Sequence, residues 1–111
     1  MTQDSIEQAS RELMDRVWLA HSKREYNLLL EAFADSKDAH IPGEAQFYDA
    51  VDRAITPLGK SSELIYLGQV NKAKAGETMV LWKVSFEATD EELLWHIYLD
   101  AGNNLKAIWF G

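Results

Sequence analysis

No cysteine occurs among the 111 residues. Disulfides, thiolate catalysis and cysteine-ligated zinc are thereby excluded. No apolar run approaches the about 20 residues that a bilayer-spanning helix needs, so no membrane partner is expected. The opening stretch MTQDSIEQASRELMDR is polar and acidic and lacks the apolar segment of a secretory signal, which makes a cytoplasmic protein the expectation. Basic residues are scarce, 11 against 18 acidic ones, for a net charge of −7. Such a surface repels phosphate, so nucleic acid and anionic membranes are poor partners. There are only two prolines and six glycines, and no linker, repeat or low-complexity tract breaks the chain. Residues 1–111 read as a single domain.

What is present is a full set of core-forming side chains. Four Trp, four Tyr and four Phe in so short a chain imply a core built from large rings. The first half has helical spacing. Ile6, Ala9, Leu13, Val17 and Ala20 fall three and four apart, with Met14 and Trp18 widening the stripe, and predict a helix over 5–20 that breaks near His21. The motif SKRE predicts a second helix starting at Ser22, with Glu25 closing a capping box. Tyr26, Leu29, Leu30 and Phe33 would be its buried face. After the loop ADSKDAHIPG, a third helix is expected over 43–56, burying Phe47, Val51 and Ile55 with Leu58. Asp49 and Arg53 would pair on its wet side. Pro57 and Gly59 stop it.

Beyond residue 60 the period changes to two. SELIYLGQVNKA, ETMVLWKVSFEA, EELLWHIYLD and NLKAIWFG read as strands, joined by the short turn sequences KAKAG, ATDE and DAGNN. Short joints require antiparallel neighbours. The expected class is therefore α+β, with three N-terminal helices packed on a four-stranded antiparallel meander.

The two faces of that sheet differ. Val80, Trp82, Val84 and Phe86, with Leu93, Trp95, Ile97 and Leu99, form the rows that pack on the helices. The opposite face carries Met79, Leu81, Lys83, Ser85 and Glu87 from the second strand and Leu94, His96, Tyr98 and Asp100 from the third. One end is apolar and aromatic and the other charged, where a merely solvated face should be mostly polar. A part-apolar face on a small acidic domain suggests a partner surface, and the simplest partner is a second copy across a two-fold axis. A homodimer through the outer sheet face is the expectation.

The stretch GKSSELIYLGQV opens with Gly59-Lys60-Ser61, which looks like the end of a phosphate-binding loop. That loop needs a glycine five residues earlier, where Ala54 stands, and it must follow a strand and open a helix. Here the order is reversed, so the triplet is read as a helix-to-strand turn. The histidines His21, His40 and His96 show no metal-pair spacing, and no metal or cofactor is expected. His96, mid-strand beside Trp95 and Tyr98, is the candidate for chemical activity as an acid, a base or a bridge. DSKDAHIPGEAQ is acidic enough to suggest a calcium loop. Counted from Asp35, however, it has Lys37 at position three, His40 at six and Gln46 at twelve, which excludes an EF-hand. There is no serine-nucleophile elbow. The rings Trp18, Tyr26, Tyr48, Trp82 and Trp95, together with Trp109, have two readings. They fill the core, or they wall a small apolar pocket under the sheet with indole N–H groups as oriented donors.

Three helices followed by a meander ending in IYLDAGNNLKAIWF resemble the cystatin-like, nuclear-transport-factor-2-like superfamily. The stretch REYNLLLEAF and the third helix ending in Leu58-Gly59-Lys60 are most similar to small bacterial domains of unknown function within it. The resemblance implies a cone-like α+β roll, frequent dimerisation through the sheet, and a pocket between sheet and helices. The superfamily holds isomerases, dehydratases, hydrolases and non-catalytic modules, so the fold does not choose the function. Its ketosteroid-isomerase-like members place a Tyr and carboxylates in the pocket, a set not matched here. The inward strand rows carry no ionisable residue. The expectation is a non-catalytic homodimeric module binding a small apolar ligand or a protein partner. The alternative is a small isomerase, dehydratase or hydrolase using Tyr26, Tyr48, Asp49 or His96.

Overall fold

The computed structural model describes residues 3–71 and 77–111. The expected turn KAKAG and the end of the first expected strand lie outside the described residues. Three helices come first: α1 (Gln3–Lys23), α2 (Tyr26–Ala32) and α3 (Glu44–Ala50). The third continues as a π-helical turn, Val51–Ile55, and a 3-10 turn, Thr56–Leu58. Strands β1 (Ser61–Asn71), β2 (Thr78–Phe86), β3 (Glu92–Leu99) and β4 (Leu105–Phe110) follow. They form one antiparallel sheet in the order β1-β2-β3-β4, an open meander.

α1 does not break at His21, and Ser22 does not cap α2. The helix runs on to Lys23, because Val17, Trp18 and His21 are all buried on its inner face. The Ser22 hydroxyl donates back to the Leu19 carbonyl at 3.3 Å, inside its own helix. The chain reverses at Arg24, whose φ is 57°, and Glu25 N–H donates to Ala20 O at 2.9 Å. This is a Schellman closure, which usually takes glycine at the left-handed position. Here Arg24 occupies it and makes two bonds of 2.9 Å to the Asp52 carboxylate. The buried stripe of α1 is also turned from the expected one. Ser10 and Met14 are fully buried, while Ala9 and Leu13 are half-buried. In α2, Leu29 and Phe33 are buried but Leu30 is exposed.

Phe47, Val51 and Ile55 are all buried. Residues four apart drift around an α-helix of about 3.6 residues per turn. The wider π turn starting at Val51 brings them back into line. The expected ion pair between Asp49 and Arg53 is present at 2.8 Å.

The inward rows of β2 and β3 are buried throughout and join the helices in one core cluster. Direct pairing of Trp82 with Trp95, and of Val80 with Ile97, stacks those rows. Trp82, in turn, meets Tyr66 of β1 edge-on at 5.4 Å. All three helices lie on this side, and the smallest dimension of the molecule, 19 Å, is that of two layers. No described helix packs on the other face of the sheet. Gly68 interrupts β1 at a bulge with φ 147°, a conformation open to glycine and strained for other residues. The free edge of β4 is partly covered, since His40 N–H donates to Lys106 O at 2.7 Å. The β3–β4 turn is closed by Asp100, whose Oδ1 accepts from the amides of Gly102 and Asn104 at 2.9 Å each.

Candidate functional site

His21 is a polar side chain inside the ring core. Only 2 % of its surface is exposed. It sits there because it continues the inner stripe of α1, one turn beyond Val17. Three rings surround it: Phe47 at 4.8 Å, Trp95 at 4.9 Å and Phe110 at 5.6 Å between centroids. Its Nδ1 lies 2.7 Å from the Val17 carbonyl oxygen. A carbonyl only accepts, so Nδ1 carries the proton and donates. Burial pulls the imidazole pKa down from 6.5 to about 4, against a smaller upward pull from the Val17 bond. The ring is therefore neutral at neutral pH, with Nε2 as an acceptor.

Two clefts meet at this histidine. The first, of about 300 Å³, lies between the third helical segment and β4. Phe47, Ala50 and Ala54 face it from the helix, and Ile108, Trp109 and Phe110 from the strand. Pro42 and Gln46 complete its rim. The small alanines at 50 and 54 leave the space. Behind Phe110 stands Trp95, stacked on it at 4.1 Å with 16° between planes. None of these side chains carries a charge when His21 is neutral. The second cleft, of about 450 Å³, is on the other side of His21, against Val51 and Ile55. It is more polar, with Arg24 and Lys60 in its wall. The third helical segment thus runs between the two, presenting Ala50 and Ala54 to one and Val51 and Ile55 to the other. Turns of the π kind recur at functional sites.

Gly59-Lys60-Ser61 forms the outer wall of the second cleft. Ser61 is held by the Trp18 indole, which donates to its hydroxyl at 3.1 Å. A helical segment ends before the triplet and β1 begins after it, so helix carbonyls rather than amides face this turn.

The five rings considered as a pocket wall do not surround one space. Trp82 and Trp95 are wholly buried and Trp18 nearly so, with only Trp18 reaching a cleft, the second one. Tyr26 and Tyr48 share a shallow surface depression with Arg24, Glu25 and Glu44. Tyr26 is committed to the Pro42 carbonyl at 2.6 Å, and the Arg24 guanidinium lies 4.5 Å over the Tyr48 ring. The outer-face residues are brought together: Met79 pairs with Tyr98 and Leu81 with His96, while Leu94 opposes Lys83. His96 meets the ring of Trp109 at 4.8 Å, and its Nδ1 is buried with no hydrogen-bond partner among the described residues. Exposed Leu67, Val70 and Trp109 extend this apolar surface across β1 and β4. The charged groups at the far end, Lys83 and Glu92, pair at 3.0 Å.

His21 was not among the candidate residues, and neither was Ser10, which receives the Trp82 indole N–H at 3.1 Å. The signal for both was the register of α1. Ile6, Ser10, Met14, Val17 and His21 fall on one stripe at spacings of three and four. Reading a break at His21 ended the stripe one residue too early. Among the described residues no group of acidic, histidine or cysteine side chains is arranged to hold a metal ion. No described helix is long and apolar enough to cross a membrane.

No known family, no curated protein and no solved structure matches this chain.

Proposed function

We propose that this chain is a non-catalytic binding module whose cleft between the third helical segment and β4 takes a small apolar ligand. The observation that carries this is the arrangement of His21 between Phe47 and Phe110, at an uncharged, ring-lined opening. Small-molecule sites have this character, with apolar walls and one or two placed polar groups. A roll of the cystatin-like, nuclear-transport-factor-2-like kind would place its pocket in the same layer, between sheet and helices. The enzymatic alternative, an isomerase, dehydratase or hydrolase, is less well supported. An imidazole titrating at about 4 is a weak base at neutral pH, Tyr26 is already committed, and Asp49 is paired in solvent. The test is an NMR titration of the labelled protein with small aromatic compounds. Shifts confined to Ala50, Ala54, Ile108 and Phe110 are expected. Absence of any shift there overturns the reading.

A second copy of the chain is the partner that the outer sheet face fits best. Its support is the run of exposed apolar side chains, Leu67, Val70, Leu94 and Trp109, on a face that no described helix covers. Native mass spectrometry reads this directly, together with any retained ligand. A dimer supports it, and a monomer at micromolar concentration removes it.

A further inference from the structure

His21 brings a polar side chain to the wall of the first cleft. His21 Nδ1 is spent on Val17, so the neutral ring presents Nε2 as an acceptor, and that atom makes no hydrogen bond to the described residues. An acceptor left open at the wall of an apolar cleft is met by water or by a ligand that can donate to it. We infer that the cleft takes an uncharged ligand with a hydroxyl or N–H donor on an apolar, ring-sized body, and that His21 Nε2 accepts that hydrogen bond. This rests on the binding reading above and adds the chemistry of the ligand.

Three features of the site select that chemistry. The lining side chains offer no counter-charge, so a carboxylate or ammonium would lose its hydration without compensation. The walls include the rings of Phe47 and Phe110, which favour a flat apolar body. A ligand without a donor would bury Nε2 still unpaired, which is how a polar site rejects an otherwise similar apolar molecule.

The experiment compares phenol, anisole and benzoate on the labelled wild-type protein at neutral pH, reading cleft amide shifts and the ring nitrogens of His21. Phenol is expected to bind roughly tenfold more tightly than anisole, the worth of one well-made hydrogen bond. Only phenol should move the Nε2 resonance, and His21→Phe should abolish the preference while keeping anisole binding. Equal binding of phenol and anisole, with Nε2 unmoved, overturns the hydrogen-bond assignment and leaves the binding cleft standing. Tightest binding by benzoate overturns the uncharged ligand class. No cleft shift with any of the three overturns the cleft itself. The wild-type comparison needs no variant, so it decides even if His21→Phe fails to fold.

Discussion

Trp82 Nε1 donates to the hydroxyl of Ser10 at 3.1 Å, tying the first helix to a central strand across 72 residues of sequence. Both side chains are fully buried. Ser10 in turn donates a hydrogen bond to the Glu7 carbonyl at 3.0 Å, so the indole, the hydroxyl and the backbone form one satisfied chain. Ser10→Ala would leave the indole N–H with no acceptor. The expected loss is about 1–3 kcal/mol in denaturant unfolding. A change near zero would mean that the contact contributes nothing net.

The titration of His21 makes stability depend on pH with a definite sign. Its folded pKa, about 4, lies below the ordinary 6.5. Above pH 6.5 neither state takes up the proton, and the full stability is present. Below that, the unfolded chain binds a proton that the folded ring refuses until about pH 4. Stability therefore falls as pH drops through this window, by roughly 3 kcal/mol in total. In His21→Phe that share of the slope should vanish between pH 6.5 and 4. An identical slope in both proteins would show that His21 titrates normally.

Gly68 holds the β1 bulge at φ 147° with open space around the position of an added Cβ. Gly68→Ala should therefore destabilise through backbone strain alone, by about 1 kcal/mol or more, with no steric clash. A neutral result would mean that the strand relaxes its bulge. Circular dichroism melts of the pair would measure it.

Trp109 is 58 % exposed on the edge strand β4 of the outer face, so altering it costs the monomer fold little. Trp109→Glu should convert a dimer to monomers in light scattering after size exclusion, with the melting temperature of the isolated chain preserved. A dimer that survives both Trp109→Glu and Tyr98→Asp uses another surface.

Much of the architecture is local and was legible for that reason. Alternation in residues 78–86 and 92–99 selects the buried rows of β2 and β3, because a strand must send neighbouring side chains to opposite faces. Short joints after Phe86 and Leu99 leave antiparallel pairing as the way back. Phe47, Val51 and Ile55 mark a helical face whichever turn type carries them. The α1–α2 boundary was not legible. Ser22 and Glu25 have the residue types of a capping box, yet burial of His21 extends α1 past them, and the Arg24–Asp52 bond helps to hold a left-handed reversal that no local preference would choose.

By itself the chain determined its class: an acidic, cysteine-free α+β molecule with helices first and a meander after, since periodicity and turn length are properties of neighbours in sequence. Only the tertiary structure decided where its polar chemistry sits. Histidine on a helix stripe is neutral in meaning until Phe47, Trp95 and Phe110, distant in the chain, close around it and remove its water. That desolvation, a property of packing, is what turns His21 from a residue at a helix end into an uncharged acceptor at a cleft.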